Sequence, residues 1–319
     1  MKILVTGGAG FIGSHTSDRL IARGDTVICV DNFNDYYDPK VKESNISQHK
    51  DNPNFILHRA DITNIDNLRK IFWKEQPDKV IHLAARAGVR PSISNPLLYE
   101  KVNIKGTLNL LELAKEHKIK NFVYASSSSV YGGNKKVPFE ETDRVDNPVS
   151  PYAATKKACE LMCHAYHHLY KLNISCLRFF TVYGPRGRPD MAPYLFTKWI
   201  LEGRPIKRFG DGSSKRDYTY IADIVQGIVA ALDRNSKFEI FNIGNNQIVE
   251  LNQLITTIEK IVGKKANIEQ HPEQPGDVPI TYADITKAKQ LLKYQPTTSI
   301  EEGFKKFYDW YKENLQNQK

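Results

Sequence analysis

A glycine-rich segment directly after a short apolar strand is the feature that most restricts how this chain can fold. Residues 2–6 read as a buried strand, residues 7–13 carry four glycines, and a helical pattern then continues to Arg23. The glycines at positions 8, 10 and 13 fit the pattern G-x-G-x-x-G. Such glycines let the backbone approach a pyrophosphate, and the N-terminus of the following helix supplies free N–H groups. Strand, turn and helix together predict the start of a dinucleotide-binding βαβ unit.

Strand and helix patterns continue to alternate after this unit. Five more strand patterns occupy residues 26–31, 55–59, 79–83, 121–125 and 174–179. The alternation weakens beyond them, where the basic segment 180–191, rich in Gly and Pro, indicates a change into a second lobe. We therefore predict an α/β fold, namely a Rossmann-like doubly wound parallel sheet with a smaller C-terminal α/β lobe. The first domain is placed at residues 1–180 and the second at residues 181–319, with some segments able to cross between them.

The second predicted strand ends in an acid that could bind a ribose. Asp31 follows Gly13 by 18 residues, which is near the spacing at which a carboxylate accepts hydrogen bonds from an adenosine ribose. A carboxylate at this position also repels a 2′-phosphate. The sequence therefore favours NAD over NADP as the dinucleotide.

A tyrosine and a lysine stand four residues apart at the start of a predicted helix. Residues 150–158 read Ser-Pro-Tyr-Ala-Ala-Thr-Lys-Lys-Ala, with the proline in the first turn. Tyr152 and Lys156 share one helical face, and an ammonium beside a phenol favours the phenolate. Tyr152 is thus a candidate general base. Four serines at 126–129 follow the fifth strand, at the edge where open α/β sheets place their sites.

Charge and composition exclude several classes of protein. The 319-residue chain has a formal net charge of +9, but its basic residues form no run of five or more. This spread favours small anionic ligands over nucleic acid. The N-terminal apolar run is too short for a signal peptide, and no stretch approaches 18 apolar residues, so we expect no membrane segment. The four cysteines form no Cys-x-x-Cys motif, which predicts no metal site and suits a reduced, cytoplasmic protein.

Several motifs together resemble the extended short-chain dehydrogenase/reductase family over nearly the whole chain. In chain order they are residues 6–13, Asp-Asn at 31–32, Asp-Ile at 61–62, His-Leu-Ala-Ala at 82–85, Ser-Ser at 126–127, Tyr152-x-x-x-Lys156 and Arg-Asp-Tyr at 216–218. The combination is highly specific. Within the family, the segments 87–90, 125–132, 178–191 and 274–278 look most like those of epimerases that act on UDP-glucuronate.

This resemblance implies an NAD-dependent 4-epimerase of a UDP-sugar, with UDP-glucuronate and UDP-galacturonate as the expected pair. The sugar would be oxidised at C4, the 4-keto intermediate would rotate about its link to UDP, and the opposite face would be reduced. UDP would supply the binding energy that retains the intermediate, held mainly by the second lobe. The positions that match the family's NAD contacts are Gly7, Gly10, Phe11, Ile12, Gly13, Asp31, Asn32, Asp61, Ile62, Leu83, Ala84, Ala85 and Asn103, with Tyr152 and Lys156.

The resemblance also implies roles for catalytic and substrate positions. Tyr152 would take the proton from the sugar 4-hydroxyl, Lys156 would assist it and bind the nicotinamide ribose, and Ser127 would hydrogen-bond the same hydroxyl. The positions that match the substrate side are Ser127, Ser128, Ser129, Thr181, Arg186, Arg188, Arg216 and Asp277. The last two of these match positions that hold the UDP portion.

Loop residues help to choose among relatives with other reactions. Nucleotide-sugar 4,6-dehydratases need an Asp-Glu pair where this chain has Ser128 and Ser129, and UDP-glucuronate decarboxylases carry Glu at the latter position. A UDP-glucuronate decarboxylase and an epimerase of UDP-glucose or UDP-N-acetylglucosamine stay alternatives. UDP-glucose 4-epimerases usually have Arg for Gln274 and Asn for Thr181. An epimerase of a uronic acid must hold the carboxylate, for which Arg188 and Thr181 are both candidates.

A protein of another class could share this fold, namely a nucleotide-sugar-binding regulator without redox chemistry. The set Ser127, Tyr152 and Lys156 argues against it, because a binding module has no need of an activated phenol. Relatives in the family pair through helices that correspond here to residues 96–117 and 152–172. The resemblance therefore implies a homodimer.

Overall fold

A seven-stranded parallel sheet forms the centre of the computed structural model, which describes residues 1–234, 237–273 and 278–316. The strand order is β10-β6-β5-β4-β1-β2-β3, and every neighbouring pair is parallel. Its strands are β1 (Lys2–Thr6), β2 (Thr26–Asp31), β3 (Phe55–Arg59), β4 (Lys79–His82), β5 (Asn121–Ser127), β6 (Ile174–Phe179) and β10 (Phe238–Ile243). The predicted doubly wound fold is confirmed, and the chain reverses its direction of winding between β1 and β4.

The sheet is buried on both faces, which is why its strands are continuous apolar runs rather than alternating ones. Strands β1, β4 and β6 bury nearly all of their residues. Helices cover the two faces, namely α1 (Phe11–Ala22), α3 (Ile65–Glu75), α6 (Gly106–Glu116), α7 (Pro151–Tyr170) and α9 (Ile221–Asp233). Two apolar clusters lie against the sheet and include Val5 and Ile81 in one, Leu4 and Val80 in the other.

Two segments, 32–54 and 89–117, contain their helical structure in several short pieces. The polar stretch 32–54 contains α2 (Pro39–Ile46). Asp38 caps the N-terminus of this helix, because its side chain accepts a hydrogen bond from the Lys40 N–H. The helix predicted at 96–117 is divided into α5 (Pro96–Tyr99), a π-helical turn (Glu100–Lys105) and α6, with α4 (Val89–Ser94) before them. That turn carries the buried Asn103, and π-turns of this kind often mark functional sites.

The remaining elements form a smaller lobe beside the carboxyl edge of the sheet. It contains a three-stranded sheet of order β11-β9-β7 and a two-stranded sheet β12-β8. Its elements are β7 (Thr181–Tyr183), α8 (Ala192–Glu202), β8 (Pro205–Phe209), β9 (Lys215–Tyr220), β11 (Ile248–Glu250), α10 (Leu251–Val262), β12 (Asn267–His271) and α12 (Ile300–Gln316). Helix α11 (Thr286–Leu292) instead packs on β10 and α9 of the large sheet. Buried aromatic residues, such as Tyr183 stacked on Phe304, fill its core.

The chain crosses between the two parts after β9. Helix α9 packs on α1, β5 and β6, and β10 then completes the large sheet beside β6. Both elements follow residue 180, so the placement of a domain boundary there stays a prediction. Within the described ranges, no helix is both long and apolar enough to cross a bilayer.

Candidate active site

Two glycines at the turn between β1 and α1 have no room for a side chain. Gly7 has φ +68°, and a Cβ on it would lie 2.8 Å from the backbone N of Ala84. A Cβ on Gly13 would lie 2.1 Å from the carbonyl oxygen of Gly7. Glycine is therefore required at both positions, and the backbone forms a bare surface beside the loop that follows β4.

Helix α1 begins at this turn with its first N–H groups open to a ligand. Gly10 is the N-cap, and in the part of the chain that the structure describes no side chain accepts a hydrogen bond from the first turn. Phe11, Ile12 and Gly13 occupy that turn. Free N–H groups and the positive end of the helix dipole attract phosphate. The bare turn and the uncapped helix fit the pyrophosphate of a dinucleotide.

Asp31 lies at the carboxyl end of β2, as predicted, but its carboxylate already has a partner. Its Oδ1 accepts hydrogen bonds from the Phe33 N–H at 2.9 Å and from the buried ammonium of Lys42 at 3.2 Å. Beside it, the Asn32 amide donates to Asp61 at 2.8 Å. Asp61 follows β3, and the predicted acids of two strand ends therefore lie at one edge. The Asp31–Lys42 pair was not foreseen.

Small residues after β4 lie where the predicted dinucleotide would pass. Leu83, Ala84 and Ala85 follow His82, and the Leu83 N–H donates to the Thr6 carbonyl at 3.1 Å. Asn103 secures this loop, because its side chain accepts from the Arg86 N–H at 2.8 Å and donates to the Arg86 carbonyl at 3.0 Å. Its role in the structure is to brace the loop, and a direct contact with the cofactor stays a prediction.

The same brace continues to helix α7, which carries the candidate base, and to a buried histidine. The Asn103 amide also donates to Thr155 Oγ1 at 3.0 Å, on α7. Burial, with the Lys156 charge nearby, lowers the pKa of His82 to about 3. The Thr107 hydroxyl donates a hydrogen bond to the Asn103 carbonyl, so its oxygen is left to accept one from His82. The neutral His82 therefore donates from Nε2 to Thr107 at 2.9 Å, and its Nδ1 accepts from the Thr6 hydroxyl at 2.7 Å.

Tyr152 and Lys156 occupy successive turns of α7, as their spacing predicts. Ser150 caps this helix by accepting from the Ala153 N–H at 3.1 Å, and Pro151 lies in its first turn. The buried ammonium of Lys156 donates to the Ala125 carbonyl at 2.6 Å. It lies 5.9 Å from the centre of the Tyr152 ring. A positive charge is therefore held against the end of β5, beside the candidate base.

The serine run forms a short turn at the end of β5. Ser127 accepts from the Ser129 N–H at 3.1 Å, and the two hydroxyls lie 3.0 Å apart. Ser127 is buried, whereas Ser128 and Ser129 are partly exposed. Helix α7 packs against both β5 and this turn. The structure thus brings the serines, Tyr152 and Lys156 to one end of the sheet.

A cluster of aromatic and charged side chains lies beside Tyr152. The Tyr99 ring meets Tyr152 edge-on at 6.2 Å, and both Tyr99 and Tyr36 donate hydroxyl hydrogen bonds to the Ala87 carbonyl, at 2.6 and 2.9 Å. Arg188 donates to the Tyr36 hydroxyl at 3.1 Å and forms a two-pronged pair with Asp190 at 2.5 and 3.0 Å. Burial raises the pKa of Tyr36, so this phenol stays protonated.

The other predicted substrate residues lie on the small lobe and its approaches. Thr181 opens β7, next to β9, which carries Arg216. Arg186 pairs with Asp18 of α1 at 2.7 Å, so its guanidinium is held against the glycine-turn helix. Asp277 lies outside the described residues, as does Gln274, and their predicted roles stay predictions.

Four residues of this region were missed in the sequence, namely Tyr36, Lys42, Tyr99 and Asp190. Tyr36 and Tyr99 act through partners far away in the chain, as when Tyr36 meets Arg188 across 152 residues, and local periodicity carries no signal of such pairs. Lys42 of α2 meets Asp31 of β2 across 11 residues. Asp190 could have been found, because a carboxylate two residues after Arg188 is near enough to pair with it. Among the described residues, no group of three or more His, Cys, Asp or Glu side chains is placed to hold a metal ion.

Together these features can support hydride transfer between a dinucleotide and a bound alcohol. The turn and α1 suit a pyrophosphate, the ends of β2 and β3 suit a ribose, and α7 presents a phenol beside a buried ammonium. A phenol with such a neighbour can accept and return a hydroxyl proton. The tyrosine and arginine cluster forms the side wall next to that phenol.

Comparison with known proteins agrees with this geometry. The family model described as GDP-mannose 4,6 dehydratase matches residues 4–307. The UDP-glucuronate 4-epimerase of Thermodesulfobacterium geofontis is 50% identical over 314 residues, which cover 98% of this chain and 97% of that protein. UDP-glucuronate 4-epimerase 4 of Arabidopsis thaliana is 47% identical over 330 residues, 98% of this chain and 75% of that protein.

Two solved structures are similar over almost the entire chain. The UDP-glucuronic acid 4-epimerase of Bacillus cereus, in complex with UDP-glucuronic acid and NAD, has a TM-score of 0.93 and 41% identity, and covers 98% of this chain and 100% of its own. The UDP-glucose 4-epimerase of Thermotoga maritima, with UDP-glucose, has a TM-score of 0.92 and 36% identity, and covers 99% and 100%. The chain therefore belongs to the extended short-chain dehydrogenase/reductase family of NAD-dependent epimerases and dehydratases.

Proposed function

We propose that the chain is an NAD-dependent 4-epimerase that interconverts UDP-glucuronate and UDP-galacturonate. The observation that carries the proposal is the placement of Tyr152 and the buried Lys156 beside the serine turn, at the sheet edge that also holds the glycine turn. A relative at 50% identity and a solved structure at 41% identity are UDP-glucuronate 4-epimerases, and that structure holds both UDP-glucuronic acid and NAD.

The residues at the carboxyl edge fit NAD well. The first turn of α1, with Phe11, Ile12 and Gly13, would hold the pyrophosphate, and Asp31 would hold the adenosine ribose. Asn32, Asp61, Ile62 and the loop 83–85 would line the adenine and ribose path, with Lys156 at the nicotinamide end. When bound, NAD supplies a hydride acceptor that takes hydrogen from C4 of the sugar and returns it.

The chain's own residues then move one proton. Tyr152, next to the Lys156 ammonium, takes the proton from the 4-hydroxyl while C4 is oxidised, and Ser127 orients that hydroxyl. The 4-keto sugar turns over within the site while UDP stays bound through the small lobe, where Arg216 and Asp277 are the proposed contacts. Tyr152 returns the proton to the same O4 as C4 is reduced from its opposite face, and C4 is inverted.

Loss of carboxylate is the side reaction that a uronate epimerase must avoid. Ser128 and Ser129 have hydroxyl groups, which are poor acids, so they offer no proton for decarboxylation or dehydration. Arg188 is the cation proposed to hold the carboxylate, and it lies beside Tyr36. Its Nε and Nη2 are paired with Asp190, so the sugar carboxylate would replace Asp190 or bind the remaining Nη1. Thr181 is the neutral alternative. The matching family model is that of a 4,6-dehydratase, a reaction for which these serines are unsuited.

A homodimer in the cytoplasm completes the proposal. Helices α5 and α7 pack together and leave apolar side chains in water, among them Leu97, which is 81% exposed, and Leu161, which is 60% exposed. Exposed apolar faces of this kind favour association, and the second copy would cover them in the manner of the family. The four cysteines are free thiols, which suits a reducing compartment.

Analysis of the products by NMR tests the proposed reaction. The purified protein would be incubated separately with UDP-glucuronate, UDP-glucose and UDP-N-acetylglucosamine. We expect UDP-galacturonate from the first substrate and no inversion of the other two, because the serine turn, Thr181 and Arg188 suit an acidic sugar. A UDP-pentose product would mean that the serines do not prevent decarboxylation. Inversion of a neutral sugar alone would refute the uronate assignment and leave the base assignment standing.

Replacement of the candidate base tests the role of Tyr152. We expect Tyr152→Phe to fold and to keep NAD, since its ring still packs edge-on against Tyr99. Its kcat should fall by about 10²- to 10⁴-fold, the usual contribution of a general acid–base group. Tyr170→Phe, the same change at an exposed position of α7, is the matched control and should keep full activity. Retained turnover in the first variant would remove Tyr152 as the base.

Removal of the acid at the end of β2 tests the choice of cofactor. Asp31→Ala should weaken NAD binding by about 10- to 100-fold, the cost of a charge-assisted hydrogen bond. It should also improve NADP binding, because the change removes a negative charge and frees the Lys42 ammonium for a 2′-phosphate. Binding of both dinucleotides would be measured by titration, with the exposed Asp51→Ala as control. An unchanged NAD/NADP preference would contradict this role.

A further inference from the structure

A buried ion pair lies directly behind the catalytic helix. Arg178 of β6 and Glu160 of α7 are each 1% exposed, and the guanidinium donates to both carboxylate oxygens at 2.9 Å. Such a pair is costly to remove from water, and apolar residues of similar size often serve stability equally well. Its presence is therefore better explained by the geometry that it imposes.

The pair joins the two elements that carry the catalytic side chains. Glu160 follows Lys156 by four residues and Tyr152 by eight, so the three lie on one face over successive turns of α7. Arg178 stands opposite Ser126 in the register of β6 and β5. The pair thus connects the helix of the base to the strand end from which the serine turn begins.

Both ends of the serine turn are attached to this pair. At the first end, the Ser126 hydroxyl donates to Glu160 Oε1 at 2.6 Å. At the other end, the Tyr131 ring lies under the Arg178 guanidinium at 4.8 Å, and its hydroxyl donates to Asn242 of β10 at 2.7 Å. Residues 127–130, which include the proposed Ser127, are therefore held from both sides.

The carboxylate has no freedom to shift. Glu160 Oε1 accepts from Ser126 and from Arg178 Nε, while Oε2 accepts from Arg178 Nη2 and lies 3.6 Å from the Lys157 ammonium. Groups fixed by packing and by several hydrogen bonds are what an active site needs to hold distances within about 0.5 Å. A displacement of about 1 Å at a reacting group can cost about 100-fold in rate.

We propose that Glu160 and Arg178 are positioning residues that set the distance between Ser127 and the Tyr152 hydroxyl. Neither side chain touches the substrate. They act by fixing the serine turn, through Ser126 and Tyr131, to the helix that carries the base. This inference rests on the proposed epimerase function, in which Ser127 and Tyr152 share one sugar hydroxyl.

A double variant separates positioning from stability. In Glu160→Leu/Arg178→Met both charges are replaced by apolar side chains, so the melting temperature should stay within a few degrees of wild type. The kcat for UDP-glucuronate should fall about 10- to 100-fold. It would be normalised to the concentration of bound NAD, so that unfolded protein does not contribute. KM and the affinity for NAD should change less than about threefold.

Two further variants act as controls. His58→Leu/Glu75→Leu removes a partly buried pair at the other edge of the sheet, 3.1 Å apart, and should leave kcat unchanged. Ser126→Ala removes one attachment of the serine turn while the ion pair stays, and kcat should fall about three- to tenfold with an unchanged melting temperature. If Glu160→Leu/Arg178→Met does not fold, the kcat of Ser126→Ala alone tests the positioning role.

The outcomes are distinct. The positioning role would be overturned if Glu160→Leu/Arg178→Met kept the wild-type kcat, or if its kcat fell no further than that of the control pair. An unchanged kcat in Ser126→Ala would overturn it as well. Wild-type protein without turnover of UDP-glucuronate would instead refute the proposed function. The ratio of variant to wild-type kcat would then be measured on whichever UDP-sugar is inverted, and a loss confined to kcat would still support positioning.

Discussion

The site depends on the hydrogen bond between the buried Lys156 ammonium and the end of strand β5. A charge removed from water needs close partners, and this one has the Ala125 carbonyl at 2.6 Å and the faces of Tyr124 and Tyr152. Ala125 stands two residues before Ser127 on β5. Because the charge must be satisfied, helix α7 is fixed against the end of that strand, and the base comes to lie beside the serine turn.

The parallel sheet brings the other components to the same edge. The glycine turn follows β1, Asp31 ends β2, Asp61 follows β3, the loop 83–85 follows β4, and the serine turn follows β5. Carboxyl ends of parallel strands lie together, and ligands bind where the winding reverses. The small lobe then covers this edge with Thr181 and Arg188, while β10 and α9 return to the sheet and connect the two parts.

Features carried by short segments were predicted well, and features that join distant segments were not. The glycine turn, the six strand patterns and the Tyr152–Lys156 spacing each depend on a few neighbouring residues, and the structure has all of them. The return of β10 to the sheet and the Tyr36–Arg188 contact depend on pairing across the fold. Asn103 was found by family resemblance, but its hydrogen bonds with Arg86 and Thr155 are seen only in the structure.

In the proposed reaction, C4 of the sugar loses its hydrogen and regains the same one within a single binding event. The most direct test uses UDP-glucuronate labelled with deuterium at C4, incubated with the holoprotein in ordinary water and followed by NMR and mass spectrometry. We expect UDP-galacturonate that keeps its deuterium at C4, without exchange with solvent. Loss of the label to water, or a labelled UDP-pentose as the main product, would contradict the proposed reaction.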